Sequence, residues 1–91
     1  MRLAKAETNR VLLGQVPGLA SVLTDLLSDP DSHVKSNVAL TISMLARHPG
    51  NQPLLRQERN LESKLTELQS SSDNFVLVTA SLALNNLHRR L

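Results

Sequence analysis

The sequence predicts an all-α protein in which helical repeats stack side by side as an α-solenoid. Shifted by 42 residues, the chain matches itself: positions 1–49 and 43–91 share 17 identical residues with no gap, where chance gives roughly 3 for an average composition. Within each copy, apolar residues recur at the three- and four-residue spacing of one helix face. A fixed period of this length with a helical rhythm is typical of stacked helical repeats, which bury their apolar sides against one another.

The composition narrows the function classes. With 91 residues the chain forms one domain at most, and without cysteine it has no disulfide and no thiolate metal site. Phe75 is its only aromatic residue, and its net charge is +2. Because nucleic-acid readers usually combine basic clusters with stacking aromatic rings, binding to nucleic acid is not favoured.

No targeting signal and no membrane span are predicted. Residues 1–7 lack the apolar core of a signal peptide. The longest nearly uncharged apolar stretch, residues 75–84, is about half as long as a membrane-spanning helix. The sequence therefore predicts a cytoplasmic protein, with the nucleus as the alternative compartment.

The sequence also predicts no catalysis, no cofactor and no metal site. His33, His48 and His88 are far apart in the chain, whereas a metal site needs several convergent ligands. Asp29 and Asp31 are better explained as a turn and a helix cap than as a carboxylate pair for acid–base chemistry. No glycine-rich phosphate loop or nucleophile motif occurs.

The first full repeat is predicted over residues 9–50. Its medium helix begins after the break at residues 16–18, Val-Pro-Gly. Five residues at i, i+3, i+4, i+7 and i+8 form the apolar face of this helix: Leu19, Val22, Leu23, Leu26 and Leu27. A turn at residues 28–32 ends it, and Asp31 or Ser32 is expected to cap the helix that follows.

The long helix of the first repeat is predicted over residues 32–47. Five residues share its buried face: Val34, Val38, Thr41, Ile42 and Leu45. The His-Pro-Gly turn at residues 48–50 ends the helix, since proline cannot continue it and glycine relaxes the turn. Asn51 is then expected to cap a short helix that holds Leu54 and Leu55.

The second repeat, predicted over residues 51–91, follows the same plan. Residues 69–73 form its loop, and Asp73 is the expected cap of its long helix. Its medium helix has a leucine face, and its long helix has a mixed apolar face: Leu61, Leu65 and Leu68, then Val76, Ala80, Ala83, Leu84 and Leu87. Residues 1–8 match the end of a long helix and are interpreted as the tail of a preceding repeat.

These repeats resemble a known family. Residues 23–31 (Leu-Thr-Asp-Leu-Leu-Ser-Asp-Pro-Asp), residues 38–46 (Val-Ala-Leu-Thr-Ile-Ser-Met-Leu-Ala) and residues 80–87 (Ala-Ser-Leu-Ala-Leu-Asn-Asn-Leu) are similar to the armadillo repeat. The HEAT repeat, with two helices per unit, is the alternative. The resemblance implies a right-handed superhelix of three-helix repeats whose long helices line a concave groove.

The resemblance also implies roles for single residues. An asparagine at the position of Asn86 is expected to bond the backbone of an extended peptide, and Met44 holds this position in the first repeat. The tryptophans of nuclear-import adaptors correspond here to Leu40 and Leu82. A receptor for nuclear-import signals is therefore not favoured.

The candidate binding surface is one side of both long helices, which we call the concave stripe. It consists of two sets related by the 42-residue shift: Ser36, Leu40, Met44 and Arg47, and Val78, Leu82, Asn86 and Arg89. Its apolar groups, its amide and its arginines suit an extended or helical partner segment with acidic residues. The alternative is that Leu40 and Leu82 pack against adjacent repeats while the arginines offset helix macrodipoles.

The sequence therefore predicts a protein-interaction scaffold that binds a partner protein or peptide along the concave stripe. The alternative is a structural C-terminal cap of a larger assembly factor or cochaperone, whose recognition surface lies upstream. A cap is favoured because a terminal repeat has a polar outer side. The second repeat carries polar residues at four positions that are apolar in the first repeat: Ala20 corresponds to Glu62, Val22 to Lys64, Leu27 to Gln69 and Ala46 to His88. The N-terminal end stays apolar, and self-association through it is expected.

Overall fold

The described part of the chain, residues 18–88 of a computed structural model, consists of five α-helices and contains no strand. In chain order these are α1 (Leu19–Leu26), α2 (Ser32–Leu45), α3 (Gln52–Arg56), α4 (Arg59–Leu68) and α5 (Asn74–Leu87). The prediction of an all-α protein is confirmed for this part. The predicted tail at residues 1–8, the start of the first repeat and Arg89 lie outside the described residues.

The helix bounds follow the sequence repeat. The long helices α2 and α5 each have 14 residues, and both their first and their last residues are 42 positions apart. The ends of α1 and α4, Leu26 and Leu68, are separated by the same shift. Equivalent sequence therefore gives equivalent helices, while right-handed armadillo stacking remains a prediction.

Both long helices begin at a capping aspartate, as predicted. Asp31 Oδ1 accepts a hydrogen bond of 2.8 Å from His33 N, so Asp31 rather than Ser32 is the cap. Asp73 Oδ1 accepts bonds of 2.9 and 3.2 Å from Phe75 N and Val76 N. These bonds satisfy amide groups that the first turn of a helix leaves without partners.

Asn51 acts on a different helix from the one that the sequence predicted. It stands at the N-cap position of α3, but its side chain makes no hydrogen bond to the first turn of that helix. Instead the buried Asn51 Nδ2 donates to Leu45 O at 3.0 Å. The turn at residues 48–50 folds the chain back, so the amide satisfies a carbonyl at the end of α2.

Two further side chains complete this arrangement, which we call the carbonyl cap: Asn51, Gln52 and Arg56. Gln52 Nε2 donates to Ala46 O at 3.0 Å, beyond the end of α2, and to Asn86 O at 2.9 Å, in the last turn of α5. Arg56 donates from Nε and Nη2 to Leu87 O at 2.8 and 2.6 Å. The short helix α3 and its N-cap residue therefore supply hydrogen-bond donors to carbonyls at the C-terminal ends of both long helices.

The core lies mainly between the two long helices and the medium helices. Its buried apolar residues come from every helix and from both copies of the repeat: Leu23, Leu27, Val38, Ala39, Ile42, Leu45, Ala46, Leu55, Leu61, Leu65, Leu68, Val76, Ala80, Ala83 and Leu87. Leu23 and Leu65, which are 42 positions apart, belong to the same cluster. Fully buried alanines at 39, 80 and 83 present only methyl groups, which lets helix backbones approach closely.

Some positions of the first copy are more exposed than the sequence predicted. Thr41 was expected on the buried face of α2, but it is exposed and its Oγ1 donates to Asn37 O at 2.8 Å. Its equivalent in the second copy, Ala83, is buried. Val22 and Leu26 are likewise exposed apolar residues of α1. The prediction for Thr41 was wrong because helical spacing gives the direction of a side chain but not whether a neighbour covers it.

Candidate functional site

The two long helices lie side by side with their C-terminal ends together. Asn86 Nδ2 of α5 donates to Ser43 O of α2 at 2.8 Å, and Gln52 bonds Ala46 O and Asn86 O at once. Residues of the two helices that occupy equivalent positions in the repeat are therefore neighbours. This brings Leu40 and Met44 of the concave stripe next to its members Leu82 and Asn86 on α5.

This face of α2 and α5 is apolar and exposed. Of the seven exposed large hydrophobic residues in the described part of the chain, five lie on the two long helices; we call these five the apolar ridge: Leu40, Met44, Phe75, Val78 and Leu82. On α5 they recur at i, i+3 and i+7, and on α2 at i and i+4, so each set occupies one side of its helix. Exposed apolar residues grouped on one side of a helix are candidates for an interaction site.

A cleft of about 320 Å³ lies at the C-terminal end of this face. Its walls come from both long helices and the residue that follows α2 by two positions: Leu40, Ser43, Met44, Arg47, Leu82, Asn85 and Asn86. Five residues of the predicted concave stripe thus line one cleft. Ser36 and Val78 do not line it, and Ser36 Oγ donates to His33 O at 3.2 Å.

Asn86 is placed differently from what the family resemblance implies. It is only 5% exposed, and its Nδ2 already donates to Ser43 O at 2.8 Å. The amide nitrogen that the resemblance assigns to a bound peptide therefore uses one of its N–H groups to link the two long helices. Burial of this bond makes it costly to break, since a carbonyl left without a donor in the interior is destabilising.

The charge around the cleft is positive. Neither α2 nor α5 contains an aspartate or a glutamate, and Arg47 is the one charged residue that lines the cleft. Within residues 18–88 no carboxylate lies within ion-pair distance of Arg47, since the only contact at such a distance joins His88 to Glu62. An exposed guanidinium beside leucine and methionine side chains favours a ligand that places a carboxylate next to apolar groups.

Three residues of this face were not predicted from the sequence: Ser43, Asn85 and Phe75. Phe75 is 78% exposed and extends the apolar ridge beyond Val78. The repeat comparison gave no reason to select it, because its equivalent is the polar His33. Its spacing from Val78 and Leu82, three and seven residues, is the signal that would have identified it.

Two histidines of the described part have hydrogen-bond partners. His48 Nδ1 accepts a bond of 3.0 Å from Gly50 N, and His88 Nε2 lies 2.5 Å from Glu62 Oε2. No group of three histidine, aspartate or glutamate side chains in residues 18–88 is arranged to hold a metal ion. No helix among these residues is long and apolar enough to cross a membrane.

We found no match to this chain among models of protein families, among curated proteins or among solved structures. The resemblance to armadillo repeats therefore rests on the sequence motifs and their 42-residue period alone.

Proposed function

We propose that this chain is an interaction module of an armadillo-like α-solenoid, and that it binds a segment of a partner protein along the face of α2 and α5. The observation that carries the proposal is the apolar ridge ending in a cleft that Arg47 borders. Large apolar side chains on the surface gain free energy when a partner covers them. The arginine adds specificity for an acidic group.

The pattern of burial supports side-by-side stacking. Leu27 and Ala46 of the first copy are buried, whereas their equivalents Gln69 and His88 in the second copy are exposed. The second copy thus covers one side of the first, and the corresponding side of the second copy is polar. Such nearest-neighbour burial is what a solenoid requires.

The proposal is tested by selecting displayed random peptides on the protein and measuring their affinity for variants. Leu82→Ser is expected to weaken the selected peptides by at least about tenfold, because it removes a central apolar contact worth more than ~1.4 kcal/mol. Leu26→Ser is the matched control, since Leu26 and Leu82 are 39% and 42% exposed on different faces. Both substitutions leave the core intact.

Two results would contradict an interaction face on α2 and α5. The first is a selection that yields no peptide whose binding depends on Leu82. The second is a set of binders weakened equally by Leu26→Ser and Leu82→Ser, which would show that exposed leucines in general rather than this face retain them.

A second candidate function, a structural end of a solenoid, is supported by the polar side of the second copy. Gln69 Nε2 donates to Ser81 Oγ at 3.2 Å, and His88 pairs with Glu62. Polar residues bonded to one another are suited to face water rather than a further repeat. Lys64, which the sequence assigned to this polar side, instead donates to Ser28 Oγ of the first copy at 2.6 Å. For a purely structural end, Leu82→Ser would leave partner binding unchanged.

Self-association is expected through the exposed apolar residues of α1. Val22→Lys should abolish it, because it places a charged group among the exposed apolar residues of α1, and burying an unpaired charge in an interface is costly. Light scattering over a range of concentrations measures the effect, with Leu82→Ser as the control that should still associate. A chain that stays monomeric at high concentration without any substitution would contradict this prediction.

A further inference from the structure

We infer that the segment bound along α2 and α5 is an amphipathic α-helix that carries an aspartate or glutamate at the end facing Arg47. This inference rests on the proposed function and adds the conformation and the charge of the partner. It follows from three properties of the face: its lack of groups that bond a backbone, its charge and its length.

The first property is the shortage of hydrogen-bonding groups. The five side chains of the apolar ridge have no strong hydrogen-bonding group. The polar side chains Arg47, Asn85 and Asn86 lie at the cleft, at the C-terminal end of the face, where Asn86 Nδ2 already donates to Ser43 O. An extended segment laid along the ridge would find partners only at the cleft and would elsewhere lose water from its backbone amides and carbonyls without replacement. A helix satisfies its own backbone and needs only to bury side chains.

The second property is the uneven charge. Arg47 and the exposed Asn85 border the cleft at the C-terminal ends of the two long helices, while Val78 and Phe75 continue the face as apolar surface towards the other end. Because α2 and α5 contain no acidic residue, a carboxylate on the partner meets no repulsion there. Its favourable position is next to the Arg47 guanidinium.

The third property is the length of the face. From Phe75 to Asn86 the helix α5 rises by about 16 Å, at ~1.5 Å per residue. A bound helix needs about eleven residues to cover this distance, whereas an extended segment needs about five. The two kinds of partner therefore differ in the shortest peptide that binds fully.

The experiment uses designed peptides and fluorescence anisotropy with the whole chain. The parent probe has about 14 residues, leucines at i, i+3 and i+7, and a glutamate in its first turn. One variant carries proline in the middle, one replaces the glutamate by glutamine, and one keeps only about six residues around two leucines. Circular dichroism of the parent with and without the protein reports helix formation on binding.

We expect the parent probe to bind and to gain helicity when bound. The proline variant should bind about 100-fold more weakly, since proline within a helix is strongly unfavourable. The change from glutamate to glutamine should weaken binding about two- to fivefold. This last loss should disappear with Arg47→Gln but persist with Arg59→Gln, an exposed arginine on α4 that serves as the matched control.

The outcomes separate this inference from the proposed function. If the short peptide or the proline variant binds as well as the parent, the partner is not a helix, and a binding face on α2 and α5 still stands. The same holds if no designed probe binds while displayed peptides bind in a Leu82-dependent way. If the display selection also yields no Leu82-dependent binder, the proposed function fails and this inference fails with it.

Discussion

Leu65→Ala is expected to lower the free energy of unfolding by about 2–5 kcal/mol, the usual cost of truncating a fully buried leucine. Leu65 is 0% exposed and lies in the core shared by both copies of the repeat. The loss combines the transfer free energy of the removed atoms with the cost of the cavity that they leave in a close-packed core. For a small domain this is a large fraction of a total stability of about 5–15 kcal/mol.

Urea denaturation followed by circular dichroism measures this loss. Leu82→Ala removes the same atoms from an exposed position and should change stability by less than about 0.5 kcal/mol. Leu23→Ala should resemble Leu65→Ala, since Leu23 occupies the equivalent position in the same core. A small loss of stability for Leu65→Ala together with a large loss for Leu23→Ala would contradict the equivalent packing of the two copies.

Gln52→Ala is expected to lower the free energy of unfolding by about 1–3 kcal/mol, the usual cost of a buried acceptor left without a donor. The substitution leaves Ala46 O, at the end of α2, without its side-chain donor, whereas Asn86 O keeps a backbone N–H donor at the C-terminal cap of α5. Denaturation by urea again gives the magnitude. Gln57→Ala, a change of an exposed glutamine at the end of the same short helix, is the matched control and should be nearly neutral.

A second substitution at the same position distinguishes the hydrogen bonds from simple packing. Gln52→Glu keeps the size of the side chain but replaces the amide donor by a carboxyl group that donates only when protonated. Burial beside two carbonyls raises the pKa of the introduced carboxyl, so the stability lost at neutral pH should be partly regained as the pH falls towards that pKa. A loss that is independent of pH would mean that the donor matters less than the shape.

Much of the fold could be predicted because its signals are local. The caps Asp31 and Asp73 bond amides two or three residues away, and the His-Pro-Gly turn follows α2 because proline cannot continue a helix. The carbonyl cap could not be predicted in the same way. Gln52 finds Asn86 O at a separation of 34 residues, and only the packing of both long helices brings the two groups together.

In the candidate site, too, some features could be predicted from local sequence signals and others depend on packing. Helical spacing and the 42-residue shift placed Leu40 and Leu82 on one face, and both line the cleft. The surroundings of Asn86 depend instead on how closely α2 approaches α5, which a periodic pattern does not contain. Thr41 also shows that a periodic pattern does not determine burial. The same helical position is exposed in the first copy and buried, as Ala83, in the second.

The buried alanines at 39, 80 and 83 bear on the proposed binding face through what they cannot do. An alanine side chain has no rotamer to change, so a ligand cannot be accommodated by rearranging side chains at these three positions. We expect the proposed face to favour partner segments that fit the existing spacing of α2 and α5 and to disfavour bulkier segments of the same charge.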